Sequence, residues 1–155
     1  MKEDFNSQTI LLVEDNEDDV FIFSRAIKHA CIPNPIQVVN DGDSAIAYLK
    51  GAENFSDRSM FPLPFLILLD LKMPGVGGLD VLKWIREQPH LETVSVIILT
   101  SSAEHRDIAR AYQLGARSYL VKPPTAAVLT EMMDALRRSE TSSKERLKLS
   151  VEQFP

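Results

Sequence analysis

The chain has 155 residues, of which 45% are apolar and 25% are charged. This length suits one globular domain, and this composition excludes a disordered chain, a collagen-like repeat and a disulfide-rich miniprotein. Its 17 basic and 22 acidic residues leave a net charge of −5, which argues against nucleic-acid binding by the chain as a whole. The single cysteine and the shortness of every apolar run predict a soluble cytoplasmic protein with no membrane contact.

Short β-rich runs alternate along the chain with stretches of helical period. The predicted strands are Thr9–Val13, Ile36–Val39, Phe65–Leu69, Val94–Leu99 and Ser118–Val121. Apolar spacings of three or four predict a helix after each strand: from Glu17 to about Cys31, from near Asp43, from about Leu79 to before Pro89, around 108–112, and over 128–136 with Pro124 in the first turn. Three strands are almost wholly apolar, which is typical of strands covered on both faces. The pattern predicts an α/β fold, a five-stranded parallel doubly wound sheet with five helices.

Some segments lie outside this alternation. We predict an N-terminal tail over residues 1–8, one domain over 9–138 and a C-terminal tail over 139–155. The long connection 51–64 carries the large apolar residues Phe55, Met60, Phe61 and Leu63, and the C-terminal tail carries Leu147, Leu149, Val151 and Phe154. Two interpretations are open for both segments: a surface loop and a frayed terminus, or contacts with a partner or a second copy of the chain.

Chemically active side chains follow four of the five predicted strands. Glu14 and Asp15 come after the first strand, Asp70 after the third, Thr100 after the fourth, and Lys122 at the end of the fifth. In open parallel α/β sheets, ligands bind beyond the carboxyl ends of the strands. We therefore expect three carboxylates, a hydroxyl and an ammonium group to meet at one edge of the sheet.

This combination of groups predicts phosphoryl chemistry. Neighbouring carboxylates raise one another's pKa unless a cation joins them, and oxygen ligands favour a hard ion such as Mg²⁺. A carboxylate can attack phosphorus as a nucleophile, while an ammonium and a hydroxyl hold phosphoryl oxygens. The residues therefore predict Mg²⁺-dependent phosphorylation of Asp70. The other acidic residues nearby, Glu17, Asp18 and Asp19, are assigned to the start of the first helix and to the negative potential of the rim.

Four motifs at these strand ends give the chain a resemblance to a known family. They are LLVEDN at Leu11–Asn16, LLDLKMPG at Leu68–Gly75, ILTS at Ile98–Ser101 and GARSYLVKP at Gly115–Pro123. Together they resemble the response-regulator receiver domain of two-component signalling, and the resemblance extends from Thr9 to about Arg138. It implies a flavodoxin-like sheet with the strand order 2-1-3-4-5.

The resemblance also implies a role for each site residue. Asp70 falls at the phospho-acceptor position, and Glu14 and Asp15 fall at the acidic pair that binds the metal. The backbone carbonyl of Lys72 falls at the main-chain metal ligand. The implied cofactor is Mg²⁺.

A second group of residues matches the switch of such domains. Thr100 and Lys122 match the hydroxyl and the lysine that contact the phosphoryl group, and Tyr119 matches the aromatic that turns inward on phosphorylation. The Lys122–Pro123 bond resembles the cis peptide of the family. Phosphorylation would then change the surface formed by the fourth helix, the fifth strand and the fifth helix, which a downstream protein would bind.

Within the family, the long connection and the short tail are similar to those of small single-domain regulators paired with bacterial phytochromes. The segments Val38–Gly42, Ala47–Leu49 and Pro89–Leu91 fit that type. The similarity implies a sensor histidine kinase, here a bacterial phytochrome, as phosphoryl donor, and homodimerisation. It also implies that the protein is not an enzyme, although it accepts a phosphoryl group and loses it autocatalytically as part of signalling.

Two other functions are weighed against this one. A phosphohydrolase with an aspartyl nucleophile would need a second acid two residues after the first, and Lys72 stands at that position. A receiver-like interaction module that is never phosphorylated would not need the complete set of site residues that this chain carries.

Overall fold

The computed structural model describes residues 4–101 and 105–139. Its strands are β1 (Ile10–Val13), β2 (Ile36–Val39), β3 (Leu66–Asp70), β4 (Ser95–Thr100) and β5 (Ser118–Val121). Its helices are α1 (Glu17–His29), α2 (Gly42–Lys50), α3 (Gly78–Arg86), α4 (His105–Gln113) and α5 (Ala126–Ser139). Every strand pair is parallel and the strand order is β2-β1-β3-β4-β5. The predicted fold class is thereby confirmed.

Several element boundaries differ from the predicted ones. Asp70 and Thr100 are the last residues of β3 and β4 rather than the first residues after them. The first helix stops at His29, because Cys31 takes a positive φ of 55° that breaks the helical hydrogen-bond pattern. The third helix stops at Arg86, and Pro89 begins a short 3-10 helix of its own.

The fifth helix also begins later than predicted. It starts at Ala126, and Pro124 lies outside its first turn. Thr125 precedes the helix and its Oγ1 accepts a hydrogen bond of 3.1 Å from the backbone N–H of Val128. The hydroxyl satisfies one of the donors that every helix start leaves without an intrahelical partner, which places the boundary at Thr125.

The sheet divides the core into two apolar layers. Side chains alternate between the faces of a strand, so an entirely apolar strand supplies both layers. One face of β1 and β3 packs towards α2, α3 and α4 through Leu11, Val13, Ile67 and Leu69. The other face packs towards α1 and α5 through Ile10, Leu12, Leu66 and Leu68. This double burial holds the carboxyl ends of the strands in fixed register, and the candidate site lies there.

The long connection between α2 and β3 is packed against α2. Phe55 and Phe61 form an aromatic cluster with Tyr48, in which the ring centroids lie 5.2–6.0 Å apart. The Tyr48 hydroxyl donates a hydrogen bond of 2.8 Å to the carbonyl of Pro62. Met60 and Leu63 point outward with exposed fractions of 63% and 44%. Intramolecular packing therefore accounts for two of the four large apolar residues in the connection, and a partner contact for the other two stays a prediction.

The segment before β1 also packs against the domain. Phe5 is buried, its ring lies 5.0 Å from that of Phe65, and the Arg137 guanidinium lies 4.7 Å from its centroid. The amide of Asn34 donates to the carbonyls of Phe5 and Gln8 at 2.7 and 3.0 Å. Of the predicted C-terminal tail, residues 140–155 lie outside the described residues, so the division into tails and domain stays a prediction. No helix in the described ranges is long and apolar enough to cross a membrane.

Candidate functional site

Three carboxylates meet at the carboxyl edge of the sheet. Glu14 and Asp15 follow β1, and Asp70 ends the neighbouring strand β3. One carboxylate oxygen from each of the three lies within 4.8 Å of the other two. Glu14 and Asp70 are buried, whereas Asp15 is exposed to solvent. The structure thus brings together the three acids that the motifs singled out and opens their cluster on one side.

Backbone groups orient two of these carboxylates. The N–H of Asn16 donates to Oε1 of Glu14 at 3.2 Å, and the N–H of Lys72 donates to Oδ1 of Asp70 at 3.2 Å. The backbone N–H of Glu14 is itself held by the carbonyl of Val39 at 3.1 Å. Hydrogen bonds of this kind leave other carboxylate lone pairs directed towards the cluster. A role for the Lys72 carbonyl as a metal ligand stays a prediction.

A glycine allows the chain to pass closely behind Asp70. A Cβ atom on Gly78, the first residue of α3, would fall on the carbonyl oxygen of Asp70 and 2.6 Å from Cα of Leu71. Any larger residue would push α3 away from β3 or displace the backbone of Asp70. The glycine at the start of α3 therefore allows the helix to pack closely against the end of β3.

Lys122 extends from the end of β5 into the acidic cluster. Its Nζ donates to Oε2 of Glu14 at 2.8 Å and to Oδ2 of Asp19 at 3.1 Å, and it lies 3.6 Å from Oδ1 of Asp70. Its side chain is only 14% exposed. Its backbone N–H donates to the carbonyl of Thr100 at 2.7 Å, which ties β5 to the end of β4. One ammonium is therefore shared by three carboxylates.

Asp19 is the contact that sequence reasoning missed. Its backbone N–H donates to the capping side chain of Asn16, which agrees with its assigned role at the helix start. Its side chain, however, contacts Lys122. Side chains in the first turn of a helix lean towards the N-terminus, and here the N-terminus of α1 faces the site. That direction was the one available signal for the contact.

The electrostatics of the cluster follow from burial and shared charge. Burial raises the pKa of Glu14 to about 7; the hydrogen bond from Lys122 opposes this shift and the charge of Asp70 adds to it. Burial alone would lower the pKa of Lys122, but its bonds to Glu14 and Asp19 more than offset this and raise it. The Lys122 ammonium therefore stays charged, while burial disfavours the ionised form of Glu14.

The residues expected to form the switch lie on the neighbouring strands β4 and β5. Thr100 ends β4, is buried, and pairs with Val121 of β5. Tyr119 is 7% exposed and belongs to the apolar layer that includes Ile108 and Ala111 of α4. The Lys122–Pro123 bond is cis.

A cavity of about 230 Å³ lies beside Lys122. It lies between α1 and the turn from β5 to α5. Its apolar lining residues are Leu12, Ile22, Phe23, Leu99, Pro123 and Pro124, and its polar ones are Glu14, Asp19, Ser101 and Lys122. The acidic cluster thus adjoins a partly apolar recess at the protein surface.

The fold and this arrangement of groups define a class of protein. The family model described as the response regulator receiver domain matches residues 10–134. The chain belongs to the response regulator receiver domain family, and the resemblance read from the motifs is confirmed.

Several known proteins are similar to this chain. It is 39% identical over 114 residues to FilR2, a probable methanogenesis regulatory protein of Methanothrix harundinacea, which covers 74% of this chain and 71% of FilR2. It is 32% identical over 129 residues to the response regulator Rcp1 of Synechocystis sp., which covers 83% of this chain and 86% of Rcp1.

Solved structures of response regulators are also similar to this chain in fold and sequence. The bacteriophytochrome response regulator RtBRR is 37% identical, has a TM-score of 0.73, and is matched over 82% of this chain and 77% of its own. The Mn²⁺-bound form of Rcp1 is 31% identical, has a TM-score of 0.68, and is matched over 92% and 98%. The protein is a receiver-domain response regulator with phytochrome-associated relatives.

Proposed function

We propose that Asp70 accepts a phosphoryl group in a Mg²⁺-dependent reaction, and that this modification signals to a partner protein. The observation that carries the proposal is the meeting of Glu14, Asp15 and Asp70 within 4.8 Å, beside the Lys122 ammonium. A carboxylate nucleophile, acidic oxygen ligands and a cationic group are the parts that transfer of a phosphoryl group to aspartate needs.

The donor atoms fit Mg²⁺. At its preferred bond length, two oxygen ligands of Mg²⁺ lie between about 2.9 and 4.2 Å apart in an octahedral site. Small side-chain rotations would bring oxygens that lie within 4.8 Å of one another into that range. A bound cation would favour the ionised form of Glu14 and so lower its pKa from about 7. A relative with this fold, Rcp1, has a Mn²⁺-bound form.

The residues of the chain would divide the transfer among them. A carboxylate oxygen of Asp70 would form the bond to phosphorus, while the bond from phosphorus to the nitrogen of a donor phosphohistidine breaks and the imidazole leaves. Bound Mg²⁺ would neutralise the acidic cluster, so that an anionic phosphoryl group can approach. Lys122 and the Thr100 hydroxyl would each hold a phosphoryl oxygen.

The same contacts would operate a switch. Thr100 at the end of β4 would move towards the phosphoryl group, and Tyr119 lies on the neighbouring strand β5, where it pairs with Ile98, two residues before Thr100. Because Tyr119 is already buried, phosphorylation would stabilise this arrangement rather than create it. The surface of α4, β5 and α5 would then present a single conformation to a downstream protein.

The proposed phosphoryl donor is a sensor histidine kinase. The similarity of this chain to the bacteriophytochrome response regulator RtBRR supports a phytochrome-type kinase. The donor would approach over α1, where Phe21 and Ile22 are exposed and Ile22 lines the recess beside Lys122. Exchange with such a kinase would take place in the cytoplasm. Homodimerisation is a further proposal, supported by the outward-facing Met60 and Leu63 of the α2–β3 connection.

The site favours signalling over catalytic turnover. An aspartyl phosphohydrolase would need a second acid two residues after Asp70, and Lys72 stands there. A module that is never phosphorylated would have no need of the buried ammonium of Lys122, which costs free energy to desolvate.

Beryllofluoride, a mimic of the phosphoryl group, tests the proposal. We expect bound ¹⁹F resonances for the wild-type protein with Mg²⁺, and none without Mg²⁺ or in Asp70→Asn. An identical response of wild type and Asp70→Asn would refute phosphorylation of Asp70. Steady hydrolysis of small phosphoesters would favour the phosphohydrolase instead.

A further inference from the structure

Asp19 takes part in the site without belonging to the acidic cluster that could hold a metal. Its Oδ2 lies 3.1 Å from Nζ of Lys122, closer than Oδ1 of Asp70 at 3.6 Å. Nζ hydrogen-bonds to Glu14 and Asp19. The ammonium is therefore drawn towards α1 and away from the residue that would carry the phosphoryl group.

Asp19 and a phosphoryl group would compete for the same lysine. The group on Asp70 is an anion, and holding it requires Lys122 to turn at least partly away from its present partners. Asp19 opposes this in two ways, because it attracts the ammonium and it repels the incoming anion. Loss of its charge would remove both effects. Lys122 would still hydrogen-bond to Glu14, so its ammonium would stay within reach of Asp70.

We infer that Asp19 is a positioning residue that acts through Lys122: it holds the ammonium on the α1 side and weakens the grip of the site on a phosphoryl group. The inference rests on the proposed phosphorylation of Asp70. Asp19 is 35% exposed, so solvent screens the pair and the effect is moderate. With Asp19 present, the site stabilises the phosphorylated state by less free energy than the other site residues would provide without it.

The test is the affinity for beryllofluoride at saturating Mg²⁺, measured by ¹⁹F NMR on the full chain. We expect Asp19→Asn to bind about two- to fivefold more tightly than wild type, the size expected of a partly exposed ion pair. Asp18→Asn is the matched control, because it removes the same charge from an exposed neighbour in the same helical turn. Asp19→Glu keeps the carboxylate within reach of Lys122 and should bind as wild type does. Two Mg²⁺ concentrations establish saturation for each variant.

The outcomes separate this inference from the proposal beneath it. If wild type binds no beryllofluoride with Mg²⁺, phosphorylation of Asp70 fails. If wild type binds but Asp19→Asn binds equally or more weakly, the role of Asp19 fails alone. An equal gain in Asp18→Asn would assign the effect to general charge, and an equal gain in Asp19→Glu would show that the carboxylate is not responsible. Either result overturns the inference.

Discussion

The Nζ atom of Lys122 donates a hydrogen bond of 2.8 Å to Oε2 of Glu14, although the two residues are 108 positions apart. This contact joins the end of β5 to the end of β1 across the carboxyl edge of the sheet, with Asp70 between them. It places one positive charge in a pocket of several negative ones. The first two predictions follow from the negative charge that Lys122 leaves uncompensated.

Glu14→Gln is expected to remove a pH dependence of stability in metal-free protein. The pKa of Glu14 is raised from 4.5 to about 7 in the folded state, so the folded state binds its proton more tightly than the unfolded state does. Wild type should therefore lose stability from this group as pH rises from about 5 to 7, and be less stable than Glu14→Gln at pH 8 by roughly 1–3 kcal/mol. Urea unfolding with EDTA at both pH values measures this. Parallel pH profiles for the two proteins would contradict it.

Asp15→Asn is expected to abolish stabilisation by Mg²⁺ while changing metal-free stability little. Asp15 is exposed, so its carboxylate carries no desolvation cost that the substitution could remove. A ligand that binds only the folded state at one hundred times its Kd stabilises by about 2.7 kcal/mol. Thermal unfolding with and without Mg²⁺ should show a shift in wild type and in Asp18→Asn, and none in Asp15→Asn. A full shift in Asp15→Asn would remove this residue from the metal site.

Gly78→Ala is expected to destabilise the fold through the backbone of Asp70. The new Cβ would overlap the Asp70 carbonyl, and neither backbone segment can move without disturbing α3 or β3. We expect a loss of about 3 kcal/mol in the free energy of unfolding. Gly77→Ala is the control, because its Cβ would lie 3.8 Å from the nearest atom, the carbonyl oxygen of Leu71, and it should cost under about 1 kcal/mol. Equal losses in both variants would argue against the close approach.

Arg58→Ala is expected to release the α2–β3 connection. The guanidinium donates to the carbonyls of Tyr48, Leu49 and Phe61 at 2.7–3.0 Å and closes the C-terminus of α2. Losing these bonds should cost about 2–3 kcal/mol and speed amide exchange over 52–64. Arg25→Ala, which removes an exposed arginine of α1, should do neither. Unchanged exchange in the connection would show that its aromatic packing suffices.

The sequence predicted the sheet well because its strands carry two signals at once. Each central strand is apolar on both faces, and each ends at a polar residue or is followed by one, so both the parallel architecture and the edge that bears the site could be predicted. The ends of elements were less well predicted. The spacing of apolar residues indicates which side chains are buried but not which backbone groups are hydrogen-bonded. It therefore could not show that α1 stops at His29 or that Thr125 caps the start of α5.

The site divides in the same way. The identity of Glu14, Asp15, Asp70, Thr100 and Lys122 as the residues to meet at one edge follows from their places after parallel strands, since topology alone brings strand ends together. Which carboxylates hold the Lys122 ammonium does not follow, because that depends on distances of a few tenths of an ångström between side chains from α1, β1 and β3. Asp19 belongs to the site for this reason. Its order in the chain indicated a helix start, and its packing against Lys122 gave it a second role.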